Sequence, residues 1–349
     1  MNIYDYAEQN RLSTRQIMDF TTAVNPLGPS NKAKNIMRKS IRHIDIFPDS
    51  KLRYLTGLIQ KREGIKPENI FFGHGLTELF RAILRTENIE TVLVPSPVSG
   101  YYKKAISSNK LTLKHVPLNP KNNFLIDTGK VLDGAKKADA ILFPYPHDVV
   151  GTALGMNDLV RLIIETDRLG KVLILDESYR DFTTLESPVR EVIRSKKTII
   201  VRTFSLFYAM AGLPFGYAIG PADMIEKIGE QVFPEEISTL AMNAAIASIK
   251  DSFYAGRTRE FIKTEKDYLL KTIAPLEGVA YIDTPCPFII LSFDKKPESL
   301  KDTFFRYRIL IDEFHDEEDK FYLRLPVKKH KWNARFVRTL RNVMNINKQ

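Results

Sequence analysis

Through the middle of the chain, short apolar runs alternate with helix-length amphipathic stretches. NIFFG (69–73), TVLVPSP (91–97), AILFPYP (140–146), VLILDES (172–178), TIIVRTFS (198–205) and GYAIG (216–220) are rich in Val, Ile and Leu and bounded by turn residues. Near-continuous runs of this kind predict strands buried on both faces, and their alternation with helices predicts parallel βαβ units, hence an α/β fold. From about Ile237 to Leu276 apolar residues return every three or four positions, which predicts a long helical region linking two domains. Beyond it, FIILSFD, RILIDEF, FYLRLPV and the helical KWNARFVRTLRNVM predict a small α+β domain.

Composition narrows the class. With 349 residues, 44% hydrophobic and 27% charged, the chain can bury a sizeable core and reads as a folded, soluble protein. The single cysteine, Cys286, gives no internal disulfide framework, and the start MNIYDYAEQN has no apolar secretory core, so a cytoplasmic location is expected. No apolar run approaches the roughly 20 residues of a membrane span. FIILSF (288–293) is strand length, and membrane insertion is not expected. The net charge is +10, but Lys and Arg are scattered, and the cluster at 328–331 is matched by an acidic run at 316–319. That describes a solvated basic surface, also suited to phosphorylated small molecules, with no nucleic-acid motif behind it. Six dispersed histidines and one cysteine offer no metal-ligand spacing.

The candidate chemistry sits at strand ends, where an open parallel sheet builds its ligand crevice. GHGLTELFRAIL (73–84) brings two glycines to the start of a helix, whose free N–H groups and dipole suit a phosphate. Alone, a Gly-containing turn before a helix is more often just a turn. VLILDESYRDF puts Asp176 at the end of an apolar strand, either as a functional carboxylate met by a cation or donor or as a cap on the next turn. His74 and His147 fall on loops at the same crevice, as substitute bases or as bystanders.

The stretch RTFSLFYAMAGLPFGYAIG (202–220) resembles the cofactor-lysine signature of class I and II aminotransferases. That signature runs Arg, Thr, Phe or Leu, Ser or Thr, the Schiff-base Lys and, eight residues later, an Arg on the cofactor phosphate. FPD (47–49), GHGLTE (73–78), PSPVSGYY (95–102), PYPHDVVG (144–151), DESYRDF (176–182) and FYLRLPV (321–327) keep the family's motif order over essentially the whole chain. IMDFTTAVNPLGPS (17–30) is most similar to the threonine-phosphate decarboxylases of cobalamin biosynthesis, relatives of the histidinol-phosphate aminotransferases.

This resemblance implies the fold of the fold-type-I enzymes dependent on pyridoxal 5'-phosphate (PLP). An N-terminal arm (1–28) would contribute to the small domain, a large domain (29–245) would hold a mostly parallel central sheet, and a linking helix with a small α+β domain would follow (246–349). It implies PLP as cofactor and a site at a homodimer interface. Asp176 would partner the pyridinium nitrogen, Tyr179 would lie near the phenolic oxygen and Tyr101 on the ring. Gly75, Leu76 and Thr77 would cradle the phosphate, with hydroxyls from Thr203 and Ser205. Asn25 and Arg324 would meet the substrate, the arginine through its carboxylate or phosphate.

Departures from the family concentrate where the chemistry is. Leu206 stands at the lysine position and Pro214 at the arginine position; Asp148 replaces the Asn beside the phenolic oxygen, and Ala23 a second Asn usual in the decarboxylases. Leucine can neither hold the cofactor's aldehyde nor move protons. Losing the arginine costs about 1.5–3 kcal/mol, roughly tenfold to hundredfold in affinity. A carboxylate at 148 adds like-charge repulsion to a phenolate. The expectation is weak, non-covalent cofactor binding and a scaffold without the standard reaction, paired as a binding subunit with itself or with an active paralogue. The alternative is a working decarboxylase or aminotransferase for a phosphorylated amino acid, using another lysine. Lys196 and Lys197 precede their strand and fall at the far end of the sheet.

Overall fold

The computed structural model describes residues 2–232, 237–295, 297 and 300–346. The chain divides into two compact units, residues 1–26 with 257–349 and residues 27–256. It enters through the smaller one with α1 (Ile3–Gln9), whose first turn is capped by the Asn2 side chain, and the short strand β1 (Met18–Asp19).

The larger unit opens with α2 (Asn31–Ser40) and α3 (Arg53–Glu63). Strands and helices then alternate: β2 (Ile70–Gly73), α4 (Leu76–Arg85), β3 (Thr91–Ser96), α5 (Gly100–Ser108), β4 (Thr112–Pro117), α6 (Thr128–Ala135), β5 (Ala140–Pro144), α7 (Met156–Arg168), β6 (Val172–Asp176), α8 (Val189–Arg194), β7 (Thr198–Thr203), β8 (Gly216–Ile219), α9 (Ala222–Gly229) and α10 (Thr239–Ile249). Among the described residues the strands form one seven-stranded sheet in the order β2-β8-β7-β6-β5-β3-β4. It is parallel except where β8 pairs with β2 and β7. Every residue of β5, β6, β7 and β8 is buried, as their unbroken apolar sequences require of central strands covered on both faces. The six runs named from the sequence are β2, β3, β5, β6, β7 and β8. Strand β4 (TLKHVP) escapes that reading because it is a largely exposed edge with no apolar run.

The smaller unit resumes within α11 (Ser252–Ile273). Strands β9 (Val279–Asp283) and β10 (Phe288–Phe293), helix α12 (Leu300–Arg306), strands β11 (Ile309–Leu310), β12 (Asp312–His315) and β13 (Phe321–Pro326), and helix α13 (His330–Ile346) complete it. Four of these strands form an antiparallel sheet in the order β12-β13-β10-β9, while β1 and β11 pair in parallel. Phe20, Phe304 and Phe336 pack together in its core, with ring centroids 4.8–5.0 Å apart along the Phe20–Phe336 and Phe304–Phe336 contacts. The long helical region expected over 237–276 is two helices, α10 and α11, broken at Lys250 and Asp251. RILIDEF likewise divides, Ile309 and Leu310 pairing with β1 and the residues from Asp312 onward with β13.

Candidate cofactor site

Strand β6 delivers Asp176 to the carboxyl end of the sheet with its side chain buried. Three donors from two residues secure the carboxylate. Ser178 donates its backbone N–H to Oδ1 at 2.8 Å, with its hydroxyl on the same oxygen, and the Tyr102 hydroxyl donates to Oδ2 at 2.6 Å. The Oδ1 bonds are an Asx turn, so Asp176 does cap the turn after its strand. Burial pushes this carboxyl up to about 6; the Ser178 and Tyr102 hydrogen bonds oppose that shift and the charge of Asp148 adds to it. Neither Tyr102 nor Ser178 was singled out from the sequence, although a serine two residues after a strand-end Asp is itself an Asx-turn signal.

The start of α4 forms the second part. Gly75 precedes the helix at φ 81°, in the left-handed region open to glycine, and a Cβ there would come within 3.2 Å of the Pro214 ring. Pro214 therefore flanks the helix N-terminus with no donor to offer an anion. Leu76 and Thr77 carry first-turn N–H groups, which have no partner within the helix itself. The Glu78 carboxylate turns back to accept the His74 N–H at 2.6 Å. Above this turn Tyr101 lies 3.1 Å from the Thr77 hydroxyl, and burial pushes its own hydroxyl up to about 12. Ser99 caps α5 by accepting the Tyr102 N–H, fixing the turn that presents both tyrosines.

The loop after β7 holds Leu206, half-buried, with its carbonyl accepting the Ala209 N–H at 3.2 Å. Thr203 spends its hydroxyl on the loop, accepting from the Ser205 N–H at 3.0 Å and donating to the Phe215 carbonyl at 3.3 Å. Ser205 is half-buried beside it, and Tyr179 is buried in the turn after β6, its ring 6.3 Å from that of Phe182. His147 is no substitute base. Its Nδ1 accepts the Val149 and Val150 N–H groups at 3.2 and 3.3 Å and its Nε2 lies 3.2 Å from the Pro95 carbonyl, which fixes a neutral, wholly buried tautomer holding the turn that carries Asp148. His74 is exposed at the α4 turn. Lys197 precedes β7 and binds Glu87 at 2.9 Å, and the Lys196 N–H bonds Asp167.

In the smaller unit, buried Asn25 donates to the Thr258 hydroxyl at 2.9 Å, and Ala23 is buried nearby in sequence. Arg324 on β13 donates Nε to Asp312 at 2.6 Å and Nη2 to the Thr21 carbonyl at 3.1 Å. Lys328 donates to the Thr22 carbonyl at 2.6 Å; burial pulls its ammonium down to about 8, with Asp19 opposing and Arg324 reinforcing the shift.

In the larger unit, the α4 turn, Tyr101 and Asp176 suit the phosphate, face and ring nitrogen of PLP. Leu206 offers its aldehyde no amine. The residues present thus suit the cofactor's phosphate and ring, and the position of the family's attaching lysine holds a leucine.

The aminotransferase class I and II profile matches residues 15–315, and the chain belongs to that family. The fold is that of PLP-dependent aminotransferases. The structure of histidinol-phosphate aminotransferase from Sinorhizobium meliloti, solved in complex with pyridoxal-5'-phosphate, superposes with a TM-score of 0.90 at 17% identity, covering 99% of this chain and 95% of that one. L-threonine-O-3-phosphate decarboxylase from Porphyromonas gingivalis superposes with a TM-score of 0.78 at 21% identity, covering 94% and 100%. In sequence, a Caldanaerobacter subterraneus protein provisionally named as a threonine-phosphate decarboxylase is 26% identical over 351 residues, 98% of this chain and 92% of the relative.

Proposed function

We propose that this chain is a member of the PLP-dependent superfamily retired from lysine-dependent catalysis, acting as a binding or partner subunit. Leu206 carries the reading. It stands in the loop after β7, where the family signature has the lysine, and its side chain can neither capture an aldehyde nor transfer a proton. Pro214 beside Gly75 supports it, since the anion cradle lacks the arginine that would double its grip. Any PLP held by Gly75, Leu76, Thr77, Tyr101 and Asp176 is then weak and non-covalent. In this reading the protein is cytoplasmic and pairs with a second copy or with an active relative, and a phosphorylated small molecule would be held at the α4 turn of the larger unit.

A second reading, an active decarboxylase or aminotransferase for a phosphorylated amino acid, draws on the relatives named for those reactions. It needs another amine. Lys197 is committed to Glu87 at the opposite end of β7 from the candidate site.

Titration with PLP, scanned from roughly 300 to 500 nm and followed by borohydride and intact-mass analysis, separates the two. The retired scaffold gives no reducible band and no adduct. A mass gain mapping to one lysine, together with turnover of threonine phosphate, establishes the enzyme.

A further inference from the structure

Arg324 and Asp312 are direct cross-strand partners in the antiparallel pairing of β13 with β12. Side chains at such positions stand about 4.5–5.5 Å apart at Cβ, so the register itself delivers the carboxylate to the guanidinium. On the other side Arg324 pairs with Ile290 of β10, and Phe288, two residues away on the same face, lies 5.4 Å from the guanidinium carbon. The arginine is thus held on three sides, by Asp312 at 2.6 Å, the Thr21 carbonyl at 3.1 Å and the Phe288 ring.

Such a guanidinium is already well positioned without an acid. The ring and the carbonyl orient it, and an unpaired arginine at this depth would be a strong site for a carboxylate or phosphate. Asp312, in turn, is poorly housed. Burial raises its carboxyl, Arg324 offsets this only in part, and Asp19 adds repulsion. The acid gains little from its position, while its effect on Arg324 is large, because it removes the net charge an acidic ligand would seek.

We propose that Asp312 is a built-in anion that occupies Arg324 in place of a ligand's carboxylate or phosphate and makes the smaller unit reject acidic ligands. The inference concerns the β12–β13 pair alone and does not depend on the absence of the lysine.

Calorimetric titration tests it in the full-length protein without PLP, using O-phospho-L-threonine, inorganic phosphate and L-threonine as separate probes. Asp312→Asn and Asp312→Ala, each checked for a wild-type circular dichroism spectrum, should bind at least one probe roughly tenfold to hundredfold more tightly than the wild type. Phosphate alone would identify the phosphoryl group as the anion taken up, and L-threonine the carboxylate. Adding Arg324→Gln to Asp312→Asn should abolish the gain, an effect that a merely structural role for Asp312 would not produce. The proposal is overturned if the wild type binds as tightly as the variants, if neither variant gains affinity, or if the gain survives loss of Arg324.

Discussion

Asp176 is a buried carboxyl whose direct donors among the described residues are neutral, a serine and a tyrosine, and this makes its charge expensive. An unfolded aspartate titrates near 3.9, the native one near 6. Between those values the native state binds the extra proton, so stability falls as pH rises through the window, and the penalty, about 2–3 kcal/mol, is fully present above pH 6. Asp176→Asn should therefore gain stability relative to the wild type as pH is raised from about 4 to about 7, read from denaturant unfolding. Parallel curves would refute the buried-carboxyl account. Leu206 allows the converse experiment. Leu206→Lys should give a reducible PLP adduct, and adding Pro214→Arg should tighten PLP roughly tenfold to hundredfold, because the α4 turn beside them is intact. Failure of the double variant to bind PLP would mean that the cradle itself is lost.

At the scale of elements, a buried ion network ties β7 to the turn after β6 and to α3. Arg202 donates Nε to Glu177 at 2.8 Å, Nη1 to Glu63 at 2.7 Å and Nη2 to the Ser187 hydroxyl at 2.9 Å. Arg62 joins it through Glu63 and Asp181. Arg202→Met leaves the buried Glu177 without its cation and Glu63 with Arg62 alone, and should cost about 3–5 kcal/mol in chemical denaturation; a loss under about 1 kcal/mol would show that Glu177 finds another partner. The sequence pointed to Arg202 only as the first letter of a signature, since its partners lie 25 and 139 residues away and no local pattern encodes them. The central strands were legible because burial on both faces writes an unbroken apolar run. Strand β4, exposed at an edge, and the break between α10 and α11, set at Lys250 and Asp251, leave no such mark. The same limit applied to the site. Asp176 and the α4 turn were visible as strand-end chemistry, whereas the Tyr102 bond and the Asp312–Arg324 register emerge only from folding.

For the whole molecule, the segment 41–47 of the larger unit bears on assembly. Ile41, Ile44, Ile46 and Phe47 are 57%, 66%, 61% and 85% exposed, four large apolar side chains within one short stretch. Scattered exposed apolar residues are ordinary, but four so close in sequence make this segment a candidate interaction surface. Each such side chain gains about 1.5–3 kcal/mol on full burial, so covering even part of the set would favour association at micromolar concentration. A second copy of the chain is the simplest partner, through a surface that matches itself across a twofold axis. Sedimentation equilibrium should then report roughly twice the 40.0 kDa of one chain, and Ile44→Asp with Phe47→Asp should shift it toward the single-chain mass without loss of secondary structure. A wild type that sediments at the single-chain mass would exclude self-pairing and leave the segment for a different subunit. Recovery of the doubled mass on mixing with an active family member would then identify the relative as the partner, and a retired scaffold would act by completing another chain's assembly.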